Sequence, residues 1–150
     1  MPIGPTFAGD LLQLVFDGKA IGYIADNTAT TPSTIIWFAL HTAQPSSDDQ
    51  TGSEAAYTGY TRISAARSTA TSAFSYTAAS SAGAGAKLNP TANITFPIAT
   101  GSSEVETYFS MGLSSAGTGK ILWSGSLSPT ISVMNGVTPR LTTGTTITLT

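Results

Sequence analysis

Ser33 to Gly52 reads STIIWFALHTAQPSSDDQTG, an apolar run that ends at the chain's single histidine and passes into a polar loop with two adjacent aspartates. In an extended strand Ile35, Trp37, Ala39 and His41 point to one side, and Ile36, Phe38 and Leu40 to the other. Both sides are apolar. That pattern predicts a central strand over Thr34 to Thr42, covered on one face by an opposing sheet and on the other by a helix. His41 then marks where the strand leaves the core, Pro45 turns the chain outward, and Ser46 to Glu54 is expected as an exposed loop.

Working outward, the N-terminal side holds the one helical pattern. Leu11, Leu14 and Val15, with Leu12, Val15 and Phe16, make overlapping i, i+3, i+4 sets within LLQLVFDGKA, with Asp10 placed to cap and Gly18 or Gly22 to stop the helix. Met1 to Gly9, with two prolines and two glycines, is expected as an extended arm. On the C-terminal side come short β-branched and aromatic runs separated by Gly, Pro, Ser and Asn. Strands are predicted near Tyr60–Arg67, Ala73–Thr77, Ala92–Phe96, Val105–Leu113, Lys120–Leu127, Thr130–Met134, Gly136–Leu141 and Thr145–Leu149. Asn135–Gly136 predicts a type I′ hairpin. Ser72 to Pro90, rich in small residues, reads as a long connection or arm, and Gln44 to Gly59 as a second long loop. The expectation is a single all-β domain over residues 1–150, an antiparallel β-sandwich or jelly-roll-like barrel with one short N-terminal helix.

Composition narrows the function classes. Cysteine is absent, so there is no disulfide framework, thiolate nucleophile or Cys-based zinc site. Only 9% of the residues are charged, against roughly 25% in an average soluble domain. Ser and Thr supply 44 of the 150 residues. A surface wetted by hydroxyls is less costly to bury against another protein than a Lys/Glu surface, which favours assembly. The six basic residues are scattered and the net charge is −2, so the basic patch that nucleic-acid binding requires is missing. No apolar run approaches the ~20 residues of a bilayer span, and MPIGPTFAGD lacks the marks of a signal peptide, so no membrane partner or export signal is expected.

Candidate chemistry is thin. His41 can serve as a general base only beside a positioned nucleophile, and none of the 19 serines sits in a recognisable context, WSGSLSP being a near miss to G-x-S-x-G. A structural or interface role is the simpler reading. GAGAK at Gly83 to Lys87 lacks the spacing of a phosphate-binding loop. Asp48, Asp49 and Glu54 offer oxygens for a cation, but not in EF-hand order. Glu104 and Glu106 alternate on one strand face, as many surface carboxylate pairs do, with little specificity for a glycosidase. Tyr57, Tyr60, Tyr76, Tyr108 and Trp123 are read as core or cross-strand aromatics ahead of a sugar platform. No catalytic, metal or cofactor site is predicted, and no cofactor.

The order of segments resembles the small bacteriophage virion proteins described as tail-fibre-like or head-decoration proteins. The resemblance rests on LLQLVFDGKA, on TPSTIIWFALHTAQPSSDDQTGSEAAYTGYTRISA from Thr31 to Ala65, on ANITFPIATGSSEVETYFSMGLSSAGTGKILWSGSLS from Ala92 to Ser128, and on the terminal TGTTITLT. It implies a virion protein without enzymatic activity, made in the bacterial cytoplasm. The first expectation is a cement protein on the capsid exterior, a homo-oligomer, preferentially a trimer, that binds the major capsid protein. The alternative is a fibre or tail-tip module that binds host glycans. Contacts with neighbours are expected from the arm, through Pro2, Ile3, Pro5 and Phe7, and from the loop, through Ser47, Asp48, Asp49 and Gln50.

Overall fold

The computed structural model describes residues 5–20, 33–45, 49–68, 73–81, 84–119 and 121–149. Its elements in chain order are helix α1 (Pro5–Asp17) and strands β1 (Ile35–His41), β2 (Ile63–Ala66), β3 (Phe74–Thr77), β4 (Ala86–Pro90), β5 (Ile94–Thr95), β6 (Glu104–Gly112), β7 (Ile121–Val133), β8 (Arg140–Leu141) and β9 (Ile147–Leu149). The fold is all-β with antiparallel sheets and one N-terminal helix, the expected class. Among the described residues no helix is long and apolar enough to cross a membrane. The chain gathers into two compact units, each discontinuous in sequence. One contains Met1–Thr34, Ala66–Asn93 and Leu141–Thr150, the other Ile35–Ala65 and Ile94–Arg140.

In the first unit α1 packs on the sheet β3-β4-β9. Leu12 and Phe16 are fully buried on its inner side, with the Phe16 ring 5.5 Å from that of Phe74. The helix begins at Pro5, so the expected arm is helical from that residue onward, and Asp10 lies inside the helix instead of capping it. The reason is local. Proline at the first helical position gives up an N–H that has no partner there anyway, and its fixed φ suits the helix. Gly18 follows the last turn at φ 68°, the stop that the sequence predicts. Arg67 completes that end by donating to the carbonyls of Leu14, Val15 and Ser33, two of which are among the carbonyls a helix terminus leaves unpaired.

The stretch Ser72–Pro90, expected as a flexible connection, contains the antiparallel pair β3–β4, with Phe74 opposite Pro90 and Tyr76 opposite Leu88. Its small residues belong to the link between these strands. The strands themselves carry Phe74, Ala86 and Leu88 into the core. Asn89 then ties the pair to the C-terminal segment through Thr145 O and Thr146 Oγ1 at 2.9 and 2.8 Å.

In the second unit the strand order is β2-β1-β6-β7, so β1 is interior, as its two apolar faces predict. Leu40 lies opposite Phe109 and Phe38 opposite Met111, all of them buried. The helix packs on the sheet of the first unit. The two predicted strands at Lys120–Leu127 and Thr130–Met134 are one, β7, with Leu127 to Thr130 bulging out between the pairs Tyr108–Ser126 and Glu106–Ile131. Asn135–Gly136 makes a turn closed by Val137 N to Met134 O at 2.9 Å, but only Gly136 has positive φ. That geometry is type II, not I′. The chain leaving it does not pair back on β7: Ala99 N donates to Val137 O and Phe96 N to Pro139 O.

Candidate functional site

The strand-and-loop stretch around His41 builds a buried polar centre. His41 is completely buried at the end of β1. Its Nδ1 lies 2.8 Å from Gly52 O and its Nε2 2.7 Å from Ser110 Oγ. A carbonyl only accepts, so Nδ1 carries the proton and Nε2 receives the Ser110 hydroxyl. Burial pushes the imidazole pKa down, which keeps the ring neutral.

The centre continues without a broken link. Gln50, also fully buried, donates to Trp37 O at 3.1 Å and to Ser110 Oγ at 3.4 Å, and its Oε1 accepts from Arg62 at 3.4 Å. Arg62 makes a two-point pair with Glu54, Nε to Oε1 at 2.7 Å and a terminal nitrogen to Oε2 at 2.8 Å. Its other donors reach Ser114 O and Gly117 O at 2.9 and 2.8 Å. Glu54 Oε1 also accepts from Tyr60 Oη, which in turn accepts from the amide of Leu40. With Glu54 bridged to His41 in antiparallel fashion, a chain of hydrogen bonds runs from the Leu40 amide to the Gly52 carbonyl. Buried polar groups are tolerated when all their bonds are made, and such networks then fix one arrangement.

In the sequence Gln50 reads as a surface contact and Glu54 as a candidate cation ligand, and nothing there gives Ser110 or Arg62 a role. Ser110, Gln50 and the Glu54–Arg62 pair come from β6, from the loop and from the approach to β2, and proximity in sequence links only the last two. The Ser110–His41 distance is that of a nucleophile and its base. Both residues are 0% exposed, so in this structure no substrate reaches them.

The residues singled out as contacts separate on inspection. Pro2, Ile3, Ser47 and Asp48 lie outside the described residues. Pro5 and Phe7 belong to α1. Asp49 is half-buried, its Oδ1 accepting from the amides of Thr51 and Gly119, the first of which does most to hold its carboxyl below the usual range. Gln50 is not a surface residue at all: the expectation of an exposed loop fails there, because its amide is the hub between Trp37, Ser110 and Arg62. Glu54, bound to Arg62, is not free to join Asp49 around a cation. Tyr57 is buried with its hydroxyl on Pro97 O, edge-on to Tyr60, which stacks on Phe96 at 6.3 Å, so these two tyrosines are core aromatics. A cleft of about 250 Å³ opens beside the ion pair, lined by Glu54, Tyr60, Arg62 and the Ser115–Gly117 turn among others.

Glu104 and Glu106 do share a face of β6, as their alternation predicts. Glu104 Oε1 accepts from the amides of Ala56 and Tyr57 at 2.9 and 2.8 Å. Glu106 is fully buried and neither carboxyl oxygen has a hydrogen-bond partner among the described residues.

A family match over residues 15–149 places this antiparallel β-fold with one helix among the small structural proteins of bacteriophage particles. The chain belongs to the family described as Podophage GP4 fiber I protein gp80. No curated protein matches it.

Proposed function

We propose that the protein is a repeated building element of a phage fibre and acts by binding other virion proteins, without catalysis. The observation that carries this reading is the family match across residues 15–149, whose description names a fibre protein. The charge-poor, hydroxyl-rich composition supports it, since such a surface loses little on being covered by a neighbour. The inward use of His41, Gln50, Glu54 and Arg62 supports it too, because groups that an enzyme would turn toward substrate here hold the fold together.

The same surface favours a second reading, a cement protein on the capsid exterior. A trimer bound only to the assembled lattice would add its binding free energy to that of the shell, and modest contacts with the major capsid protein would be multiplied by engaging several subunits at once. In either reading α1 with the residues before it, and the loop around Ser47, Asp48 and Asp49, are the contact segments. Copy number decides between them. Purified particles are to be quantified by mass spectrometry against the major capsid protein. A few copies per particle support the fibre, a number close to that of the capsid protein supports cementing, and absence from the particle refutes both.

A further inference from the structure

Among the described residues, the buried side-chain oxygens without a hydrogen-bond partner are the two of Glu106. The ionisable groups acting on it are Glu104, two residues along the same strand, and Tyr57 from the segment bridged to β1; the residue opposite it on β7 is Ile131, which is apolar. A carboxylate placed there would be dehydrated and beside a second negative charge, two conditions that both favour the protonated acid. Glu104, meanwhile, ties Ala56 and Tyr57 to β6 through their backbone amides, beside a separate bridge from Thr58 to Gly101. The proton on Glu106 and the attachment of those two amides therefore meet at one pair of carboxyls.

We propose that Glu104 and Glu106 form a proton-operated latch: while Glu106 holds its proton, the Ala56 and Tyr57 amides stay fastened to Glu104, and when Glu106 ionises those two amides are released. Ionised Glu106 sets a dehydrated negative charge two residues along the strand from Glu104. Repulsion between the two carboxylates moves Glu104 off the Ala56 and Tyr57 amides that it holds. Because Ala55 and Tyr60 end the segment to which those amides belong and line the cleft beside Arg62, release also reshapes that cleft. Burial, with Glu104 second, pushes the Glu106 carboxyl up to about 8, so the latch operates near neutral pH.

The chain has three glutamates, 54, 104 and 106, so side-chain carboxyl carbons labelled with carbon-13 give three resolvable titrations by NMR. One is expected to titrate near pH 8 and to disappear in Glu106→Gln. Across the same range the Ala56 and Tyr57 amides should lose protection from hydrogen exchange in the wild type and keep it in Glu106→Gln, the variant cancelling the ordinary acceleration of exchange by base. Three titrations in the usual carboxylate range overturn the proposal, and so do amides that respond identically in both proteins. Should Glu106→Gln fail to fold, Glu104→Gln decides: the high titration must move down by a unit or more, and an unmoved one overturns the pairing.

Discussion

Arg62 and Glu54 meet at 2.7 and 2.8 Å through two parallel hydrogen bonds, with the arginine side chain 1% exposed and the glutamate 18%. All five N–H groups of the guanidinium have acceptors within the chain: two on Glu54, and one each on Gln50, Ser114 and Gly117. Removing one partner of a buried pair leaves the other charge unpaired, at a cost of about 3–5 kcal/mol. Arg62→Ala is expected to lose stability of that order in urea unfolding. Arg62→Lys should lose much of it as well, because an ammonium has three donors and no fork.

The single histidine predicts an acid-side effect. Burial holds the folded pKa of His41 below its ordinary 6.5. As pH falls below that value the unfolded chain takes up a proton that the folded one refuses, so stability present above pH ~6.5 is lost as pH drops through the folded value. The imidazole signal of the folded protein should therefore stay unprotonated through pH 6.5 in an NMR titration. Ser110→Ala, which leaves Nε2 without its donor, should cost about 1–3 kcal/mol at neutral pH.

Gly9 lies where α1 meets Tyr76 on β3. A Cβ there would come within 1.7 Å of Tyr76 Oη and 2.3 Å of Cζ. Alanine adds about 1 kcal/mol of helix propensity, yet the overlap forces the ring or the helix aside at about 1–3 kcal/mol. Gly9→Ala should be net destabilising in thermal unfolding. The shorter side chain of Tyr76→Leu in the same protein should recover part of the loss.

Arg67 closes the C-terminal end of α1, and hydrogen bonds from a charged donor contribute about 1.5–3 kcal/mol. Arg67→Met keeps the aliphatic stem and removes the donors. A loss of about 2 kcal/mol is expected, with the helical component of the far-UV circular dichroism melting before the β component.

What the sequence disclosed follows from range. Period-two alternation is local, so β1, β6 and the interior position of β1 were legible in IIWFALH and EVETYFSMG. The helix was legible in its apolar spacing, but its start was not, since Pro5 reads equally as an arm residue or as the first residue of a helix. β4 was missed because AKLNP has little β-branching; its partners Phe74 and Ile147 make it a strand. The polar centre was illegible for a different reason. His41 and Ser110 are 69 residues apart, and no local pattern says that one hydroxyl among 44 will face the only imidazole. The loop appeared exposed because Gln50 is polar, whereas its amide is what the centre needs between a carbonyl, a hydroxyl and a guanidinium.

The bulge in β7 bears on how copies of this chain can meet. Among the described residues β7 is one of the two edge strands of its sheet, thirteen residues long and without one charged side chain. A strand of that kind, if straight, would invite endless addition of further strands. Leu127 to Thr130 interrupt the regular edge of the strand, and Pro129 has no amide to offer. The edge of β7 is thereby guarded against runaway main-chain pairing.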